Sequence, residues 1–234
     1  MTTIASRLQA IHERIDAAAR TCGRSAAEIG LIAVCKSFPA TAILEARAAG
    51  QIAFGENYLQ EAVDKIALTA SLEKHMAPLK WHFLGPIQSN KTRQIAELFD
   101  WVHSLDRLKI AERLSAARPQ NRTPLQVCIQ VNTSSENSKG GVRPEEALGL
   151  AKALSSSQNG IRLRGLMTIP EPTPDITTLR TRFQLLRQLR DDIVGHGIEL
   201  DTLSMGMSDD FEAAIAEGAT LIRVGRVIFG ERPF

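Results

Sequence analysis

The stretch Ile29–Lys36, with the sequence IGLIAVCK, decides the fold class of this chain. Its run of apolar residues is typical of a strand that is buried on both faces, as in parallel sheets. The run ends in Lys36, and burying an ammonium group is costly unless the group is paired or used. A lysine at the end of an interior strand can lose its proton and attack a carbonyl group. Taken alone, the strand could equally end here with the ammonium group in water.

Seven further strand-like segments follow, and they alternate with helical patterns. The predicted strands are 29–36, 52–56, 80–85, 101–106, 125–132, 161–169, 202–207 and 220–229. The predicted helices are 3–21, 39–49, 57–75, 89–98, 106–117, 143–157, 175–195 and 209–217. Strands that alternate with helices in this way indicate parallel pairing and right-handed crossovers.

Two α/β architectures fit this order, a closed (β/α)8 barrel and an open doubly wound sheet. The open sheet would need a glycine-rich phosphate loop after its first strand, and the segment 35–39, CKSFP, has no glycine. The length of 234 residues is close to the roughly 250 residues of a typical barrel. We therefore predict an α/β fold in which residues 1–234 form a single (β/α)8 TIM-type barrel domain with an extra N-terminal helix.

Composition narrows the class of protein further. The formal net charge of +2 predicts no strong attraction to nucleic acid or to membranes. No apolar run approaches the roughly 20 residues that span a bilayer, and the charged N-terminus lacks the pattern of a signal peptide. The three cysteines have no CxxC spacing, which fits a reducing compartment. We expect a cytoplasmic protein that binds neither nucleic acid nor membrane.

Polar residues and glycines concentrate at the predicted C-terminal ends of the strands, where barrel enzymes carry out their chemistry. The histidines near these ends, His82 and His103, are better explained as hydrogen-bonded core residues. The sequence contains no HxH or HExxH spacing that would indicate a metal site.

The last predicted strand places a second cation inside an apolar stretch. Strand alternation puts Arg223 and Gly225 on one face and Arg226 on the other. Closure of the barrel makes the last strand a neighbour of the first, so Arg223 and Lys36 would face one cavity. Two cations in one cavity favour the unprotonated lysine, which suits imine formation. The alternative is that Arg223 pairs with a core carboxylate such as Glu56.

Glycines beside the last two strands, Gly206 and Gly225, leave room for a ligand near the backbone, and Ser204 and Ser208 add hydroxyl donors. Barrel enzymes often bind a phosphate at this position. A phosphate and an imine-forming lysine in one cavity predict pyridoxal phosphate, whose pyridine nitrogen can accept a hydrogen bond from an arginine. The remaining alternative is a barrel enzyme that handles a metal or a phosphosugar.

Six segments resemble the pyridoxal phosphate homeostasis proteins (the YggS-like group), in order from the first strand to the last. They are Ala33–Lys36, Phe54–Tyr58, Trp81–Lys91, Gly165–Ile169, Leu203–Ser208 and Arg223–Gly230. The resemblance implies the fold of the barrel domain of alanine racemase and a Schiff base of pyridoxal 5′-phosphate on Lys36. It also implies that Arg223 faces the pyridine nitrogen. The further cofactor contacts that it implies come from Asn57, His82, Met167, Ser204, Gly206, Met207, Gly225 and Arg226.

The sequence departs from the commoner family pattern near the lysine and near the last strand. Cys35 stands where serine is usual, and Ser37 and Phe38 also differ. Because Cys35 lies on the strand face opposite to Lys36, we expect little effect on the imine. Arg226 stands where threonine is frequent, so we expect only its backbone N–H to donate to the phosphate.

Two functions fit such a site. The first is a non-catalytic carrier that holds pyridoxal phosphate and delivers it to apoenzymes. The second is an amino-acid racemase, which needs a second acid/base that related racemases take from an added domain. This chain ends at Phe234, directly after the eighth predicted strand, and Arg223 weakens the cofactor ring as an electron sink. We therefore expect a monomeric carrier, with Lys139 as a solvated loop residue.

Overall fold

The computed structural model describes residues 3–72, 77–134, 140–155 and 159–231. Its strands are β1 (Gly30–Val34), β2 (Ala53–Glu56), β3 (Lys80–Phe83), β4 (Trp101–Leu105), β5 (Leu125–Gln130), β6 (Ile161–Met167), β7 (Thr202–Ser204) and β8 (Leu221–Val224). All eight pair in parallel and in chain order, and β8 pairs with β1 to close the barrel. The predicted (β/α)8 barrel is confirmed.

The described residues form nine α-helices. They are α1 (Ile4–Thr21), α2 (Ala40–Ala48), α3 (Leu59–Leu72), α4 (Thr92–Leu98), α5 (Leu108–Ala117), α6 (Ala147–Ser155), α7 (Ile176–Gly195), α8 (Phe211–Ala216) and α9 (Arg226–Phe229). Among them no helix combines the length and the apolar character that crossing a bilayer requires.

Helix α1 completes the layer of helices around the barrel. Its buried apolar residues recur every three or four positions, as expected for a helix with one face in the core; they are Ile4, Leu8, Ile11, Ile15 and Ala19. This helix packs against α2 on one side and α8 on the other. Arg14 of α1 also donates to the Glu212 carboxylate of α8 at 2.6 Å. The extra N-terminal helix therefore fills the gap in the ring between α8 and α2.

Several predicted strands extend too far at their C-terminal ends. Strand β1 ends at Val34, so Lys36 lies in the turn that follows, and β7 ends at Ser204. The largest error is in 220–229, where β8 ends at Val224 and the next residues form α9. An apolar run does not distinguish a strand from a helix. The break occurs at Gly225, whose φ of −121° and ψ of −74° lie outside the strand region.

The barrel interior and the apolar core are separate regions. The apolar core lies between strands and helices, and residues such as Ala33, Val102 and Leu203 contribute to it. Inside the barrel, His103 of β4 hydrogen-bonds to Ser204 of β7. Because β4 and β7 are not neighbours in the barrel, this contact crosses the interior. Polar side chains therefore occupy the space that the strands enclose.

We predict opposite effects for the same substitution at two glycines. A Cβ atom at Gly165 in β6 would lie 1.7 Å from the carbonyl oxygen of Thr202 in β7. Gly165→Ala should therefore lower the free energy of unfolding by about 3 kcal/mol, because the two strands must separate. A Cβ atom at Gly149 in α6 would point into open space. Gly149→Ala should therefore raise the free energy of unfolding by about 0.5 to 1 kcal/mol. Urea unfolding measures both changes, and a fully stable Gly165→Ala protein would contradict the close strand contact.

Candidate functional site

A cavity of about 590 Å³ opens at the C-terminal ends of the strands. Six of the ten predicted site residues line it, namely Lys36, Asn57, Met207, Arg223, Gly225 and Arg226. The sequence did not predict the apolar part of the lining, to which Phe38, Leu84 and Ile169 contribute. The cavity thus brings together side chains from both ends of the chain, because β1 and β8 are neighbours.

The other four predicted site residues are not among those that line the cavity. His82, Met167 and Ser204 are buried. Gly206 has a φ of 93°, and a Cβ atom there would lie 2.7 Å from the Cβ atom of Ala214 in α8. This glycine is therefore explained by its left-handed backbone and its contact with α8. Lys139 lies outside the described residues.

Lys36 lies partly buried in a tight turn after β1. The turn is closed by the backbone N–H of Phe38, which donates to the carbonyl oxygen of Cys35 at 3.1 Å. The thiol of Cys35 is fully buried and donates to the Glu56 carboxylate at 3.1 Å. Lys36 lines the cavity while Cys35 packs into the core behind it, so the two side chains lie on opposite sides, as predicted.

Arg223 carries a buried charge at the floor of the cavity. Its side chain is almost fully enclosed, with 4% of the residue surface exposed. The guanidinium donates to the Ser204 hydroxyl at 2.7 Å and to the Thr168 carbonyl oxygen at 2.8 Å, which are both neutral acceptors. Burial lowers the pKa of Arg223 to about 10, so the group remains charged at neutral pH.

The alternative hypothesis, in which Arg223 pairs with Glu56, is wrong. The Glu56 carboxylate instead accepts from the Lys65 ammonium at 2.7 Å. Within the described residues, Arg223 forms no ion pair with a carboxylate. The charge of Asp210 raises the pKa of Arg223 without contacting the guanidinium. A buried cation with no counter-charge in contact is unfavourable, so the cavity is electrostatically suited to an anion or to a lone-pair acceptor.

A chain of hydrogen bonds connects Arg223 to two buried histidines. Ser204 accepts from Arg223, and its oxygen lies 2.8 Å from His103 Nδ1. His103 Nε2 lies 2.9 Å from His82 Nδ1. The Ser204 oxygen has a second lone pair as well as its O–H, so the chain can run from Ser204 to His82 or in the reverse direction. In either direction one ring nitrogen of each N–H···N contact must be unprotonated, which fits two neutral imidazoles.

Burial favours the neutral form of both imidazoles. It lowers the pKa of His82 to about 3, with a smaller contribution from Lys80. It also lowers the pKa of His103 well below its usual range, and the nearby His82 and Arg223 add to the effect. The expectation that both residues are hydrogen-bonded core histidines agrees with these contacts.

Arg226 lies at the mouth of the cavity. Since it begins α9, the strand alternation that placed it on the far face of the last strand does not apply, and that expectation is wrong. Its guanidinium contacts both carboxylate oxygens of Asp209 at 2.7 Å. The two side chains are 65% and 78% exposed, so the pair can exchange partners at little cost.

Comparisons with known proteins agree with the resemblance seen in the sequence. The model of the family described as alanine racemase, N-terminal domain, matches residues 6–233. A protein of Pseudomonas aeruginosa named pyridoxal phosphate homeostasis protein is 55% identical over 234 residues, which cover 100% of this chain and 98% of that protein.

Solved structures give the same result. A structure of PipY from Synechococcus elongatus PCC7942, with PLP bound, has a TM-score of 0.84 and 36% identity, and the match covers 97% of this chain and 100% of that one. An alanine racemase from Corynebacterium glutamicum has a TM-score of 0.68 and 18% identity, over 97% of this chain and 62% of that one. The likeness to the racemase is one of fold.

We predict that the buried histidines make the protein less stable in mild acid. Their pKa values are lowered in the folded state, so below about pH 6.5 the unfolded chain binds protons that the folded chain does not. The free energy of unfolding should fall by up to about 1.4 kcal/mol per pH unit for each histidine as the pH decreases from about 6 to 5.

Urea unfolding of two variants at several pH values checks this dependence. His82→Asn should weaken the dependence of the free energy of unfolding on pH, whereas the same substitution at the exposed His12 should leave this dependence unchanged. If the free energy of unfolding depended equally on pH in the wild type and in His82→Asn, the lowered pKa of His82 would be contradicted.

Proposed function

The chain belongs to the family of the pyridoxal phosphate homeostasis proteins, and we propose on this premise that it binds pyridoxal 5′-phosphate reversibly as an imine on Lys36. The observation that carries the proposal is that Lys36 and an unpaired buried cation, Arg223, line the same cavity. The PLP-bound structure of PipY supports it through a match over 97% of this chain.

The residues of the cavity fit the chemical groups of this cofactor. Lys36 would supply the amine, and its condensation with the aldehyde would release one water. Arg223 is a permanent donor, suited to the lone pair of the pyridine nitrogen. We assign the phosphate to the side of the cavity with Met207, Gly225 and Arg226. A Cβ atom at Gly225 would lie 2.9 Å from the carbonyl oxygen of Val34, so this position stays small.

The remaining predicted contacts act indirectly in this proposal. The Ser204 hydroxyl is already bonded to Arg223 and His103, so we assign it and His82 to the orientation of Arg223. Gly206 shapes the loop that carries Met207, and Met167 is fully buried. Asn57, by contrast, lines the cavity, so we assign it a direct contact with the cofactor.

We further propose that the protein stores and delivers the cofactor without catalysing a reaction on amino acids. The bound cofactor would supply an electron sink for carbanions. Because the Arg223 guanidinium keeps its proton, the pyridine nitrogen of the cofactor would stay unprotonated, which would weaken that sink. Racemisation also needs a second acid/base in reach of the substrate. Tyr58, the residue considered for that role, is 56% exposed. Delivery to apoenzymes, a monomeric state, a single domain and the cytoplasmic location stay predictions.

We predict that purified protein mixed with pyridoxal phosphate develops an imine absorbance band at about 420 nm that borohydride removes. Lys36→Ala should abolish the band, while Lys109→Ala, which changes an exposed lysine, should keep it. A protein without the band would contradict the proposed function. Racemase assays across the common amino acids test the other part, and turnover that Lys36→Ala abolishes would favour the racemase.

The sequence led us to expect a phosphate contact from the backbone N–H of Arg226 alone, but Arg226 and its partner Asp209 both line the cavity. We therefore predict that Asp209 and the cofactor phosphate compete for the Arg226 guanidinium. Asp209→Asn should tighten pyridoxal phosphate binding by about two- to fivefold, because it frees the guanidinium of an exposed ion pair. Arg226→Thr should weaken binding by a similar factor, while neither variant should change the affinity for pyridoxal, which lacks the phosphate. Glu97→Gln, in the exposed Arg93–Glu97 pair, is the control for charge. Equal effects on both ligands would contradict a contact between Arg226 and the phosphate.

A further inference from the structure

The turn that carries Lys36 is held from behind by α3. Two residues of this helix, Glu61 and Lys65, lie one helical turn apart and point to the same side. The Glu61 carboxylate accepts from the backbone N–H of Ser37 at 2.8 Å. The Lys65 ammonium donates to the backbone carbonyl of Cys35 at 2.9 Å. The two residues that flank Lys36 are therefore each bound to a charged side chain of one helix.

The backbone of the turn needs such support. Ser37 has a φ of 65°, which is uncommon and unfavourable for a residue other than glycine. A strained conformation of this kind persists where the surrounding contacts over-determine it. The contact with Glu61 acts on the backbone N–H of the strained residue itself, directly after Lys36. Its loss would let the turn relax and would redirect the lysine.

Glu61 and Lys65 together form a clamp on the turn, and buried charges anchor this clamp. Lys65 is 8% exposed and Glu56 is fully buried, and the Lys65 ammonium contacts Glu56 at 2.7 Å and Glu61 at 3.2 Å. Burial lowers the pKa of Lys65, but the hydrogen bond and charge of Glu56 outweigh it, so the pKa is raised. The ammonium therefore stays protonated at neutral pH and holds the Cys35 carbonyl.

These side chains are separate from the cavity. Neither Glu56, Glu61 nor Lys65 is among the residues that line it. They act on the cavity only through the backbone of the turn. Their effect should therefore fall on the direction of Lys36 and spare the contacts made by β8 and the loop before α8.

We propose that Glu61 and Lys65 are positioning residues that hold the Lys36 turn so that its amine meets the aldehyde of the cofactor. The inference rests on the proposed function. It separates binding into two parts, the condensation of the amine with the aldehyde, which depends on the clamp, and the non-covalent contacts, which do not.

The experiment compares two ligands that differ only at the reacting carbon. Pyridoxal phosphate has an aldehyde, and pyridoxine 5′-phosphate has an alcohol that cannot form an imine. For Glu61→Ala we expect the dissociation constant of pyridoxal phosphate to rise by about tenfold or more, because small misplacement of a reacting group is costly. The dissociation constant of pyridoxine phosphate should stay within about twofold, since in this proposal its polar contacts come from β8 and the loop before α8.

Three further variants sharpen the test. Glu61→Gln keeps an acceptor oxygen for the Ser37 N–H and should recover most of the affinity. Lys65→Met should reproduce the selective loss, and thermal unfolding reports whether it folds. Asp64→Ala, at an exposed position of the same helix, should change neither constant. If Glu61→Ala weakens both ligands equally, or neither, the positioning role is overturned. If wild-type protein binds neither ligand, the proposed function fails instead.

Discussion

The buried guanidinium of Arg223 determines how the interior of the barrel is arranged. A guanidinium only donates hydrogen bonds and keeps its charge, so each group that meets it must accept. The Ser204 hydroxyl and the Thr168 carbonyl oxygen do so. The Ser204 hydroxyl is also bonded to His103, which contacts His82, and burial keeps both rings neutral. These contacts orient the cation but do not neutralise it, which leaves its charge available to a ligand.

The two sides of the cavity differ in how firmly they are held. The floor consists of buried, hydrogen-bonded groups, with Arg223 bound to Ser204 and Thr168 and Ser204 bound to His103. The turn of Lys36 is likewise held by charged side chains of α3, the buried Lys65 and the partly exposed Glu61. At the mouth, Arg226 and Asp209 form an exposed ion pair, which screening by solvent makes weak. A fixed floor with an adjustable rim suits a protein that must bind a ligand and also release it.

The sequence predicted the architecture well because the order of the elements leaves few choices. Alternating strands and helices indicate a parallel barrel, and barrel closure alone places Arg223 near Lys36. The errors occurred where local pattern is ambiguous, as in 220–229, where a strand and α9 share one apolar run. In the sequence, Glu61 and Lys65 read as charges on an exposed helix face, and their partners cannot be predicted. The contacts of Glu61 with Ser37 and of Lys65 with Cys35 join residues that lie 24 and 30 positions apart. The link between His103 and Ser204 spans 101 positions, and only the folded barrel brings them together.

The position of α1 in the ring of helices has a consequence for folding. This helix precedes the first strand, yet it packs against α8, and the ion pair between Arg14 and Glu212 joins residues 198 positions apart. Such long-range contacts form late, because the entropy of closing a long loop must be offset before they become favourable. The apolar face of α1 therefore has no complete partner surface until β8 has closed the barrel. Docking of α1 is thus a marker of ring closure, and amide exchange along this helix would report whether the whole barrel is assembled.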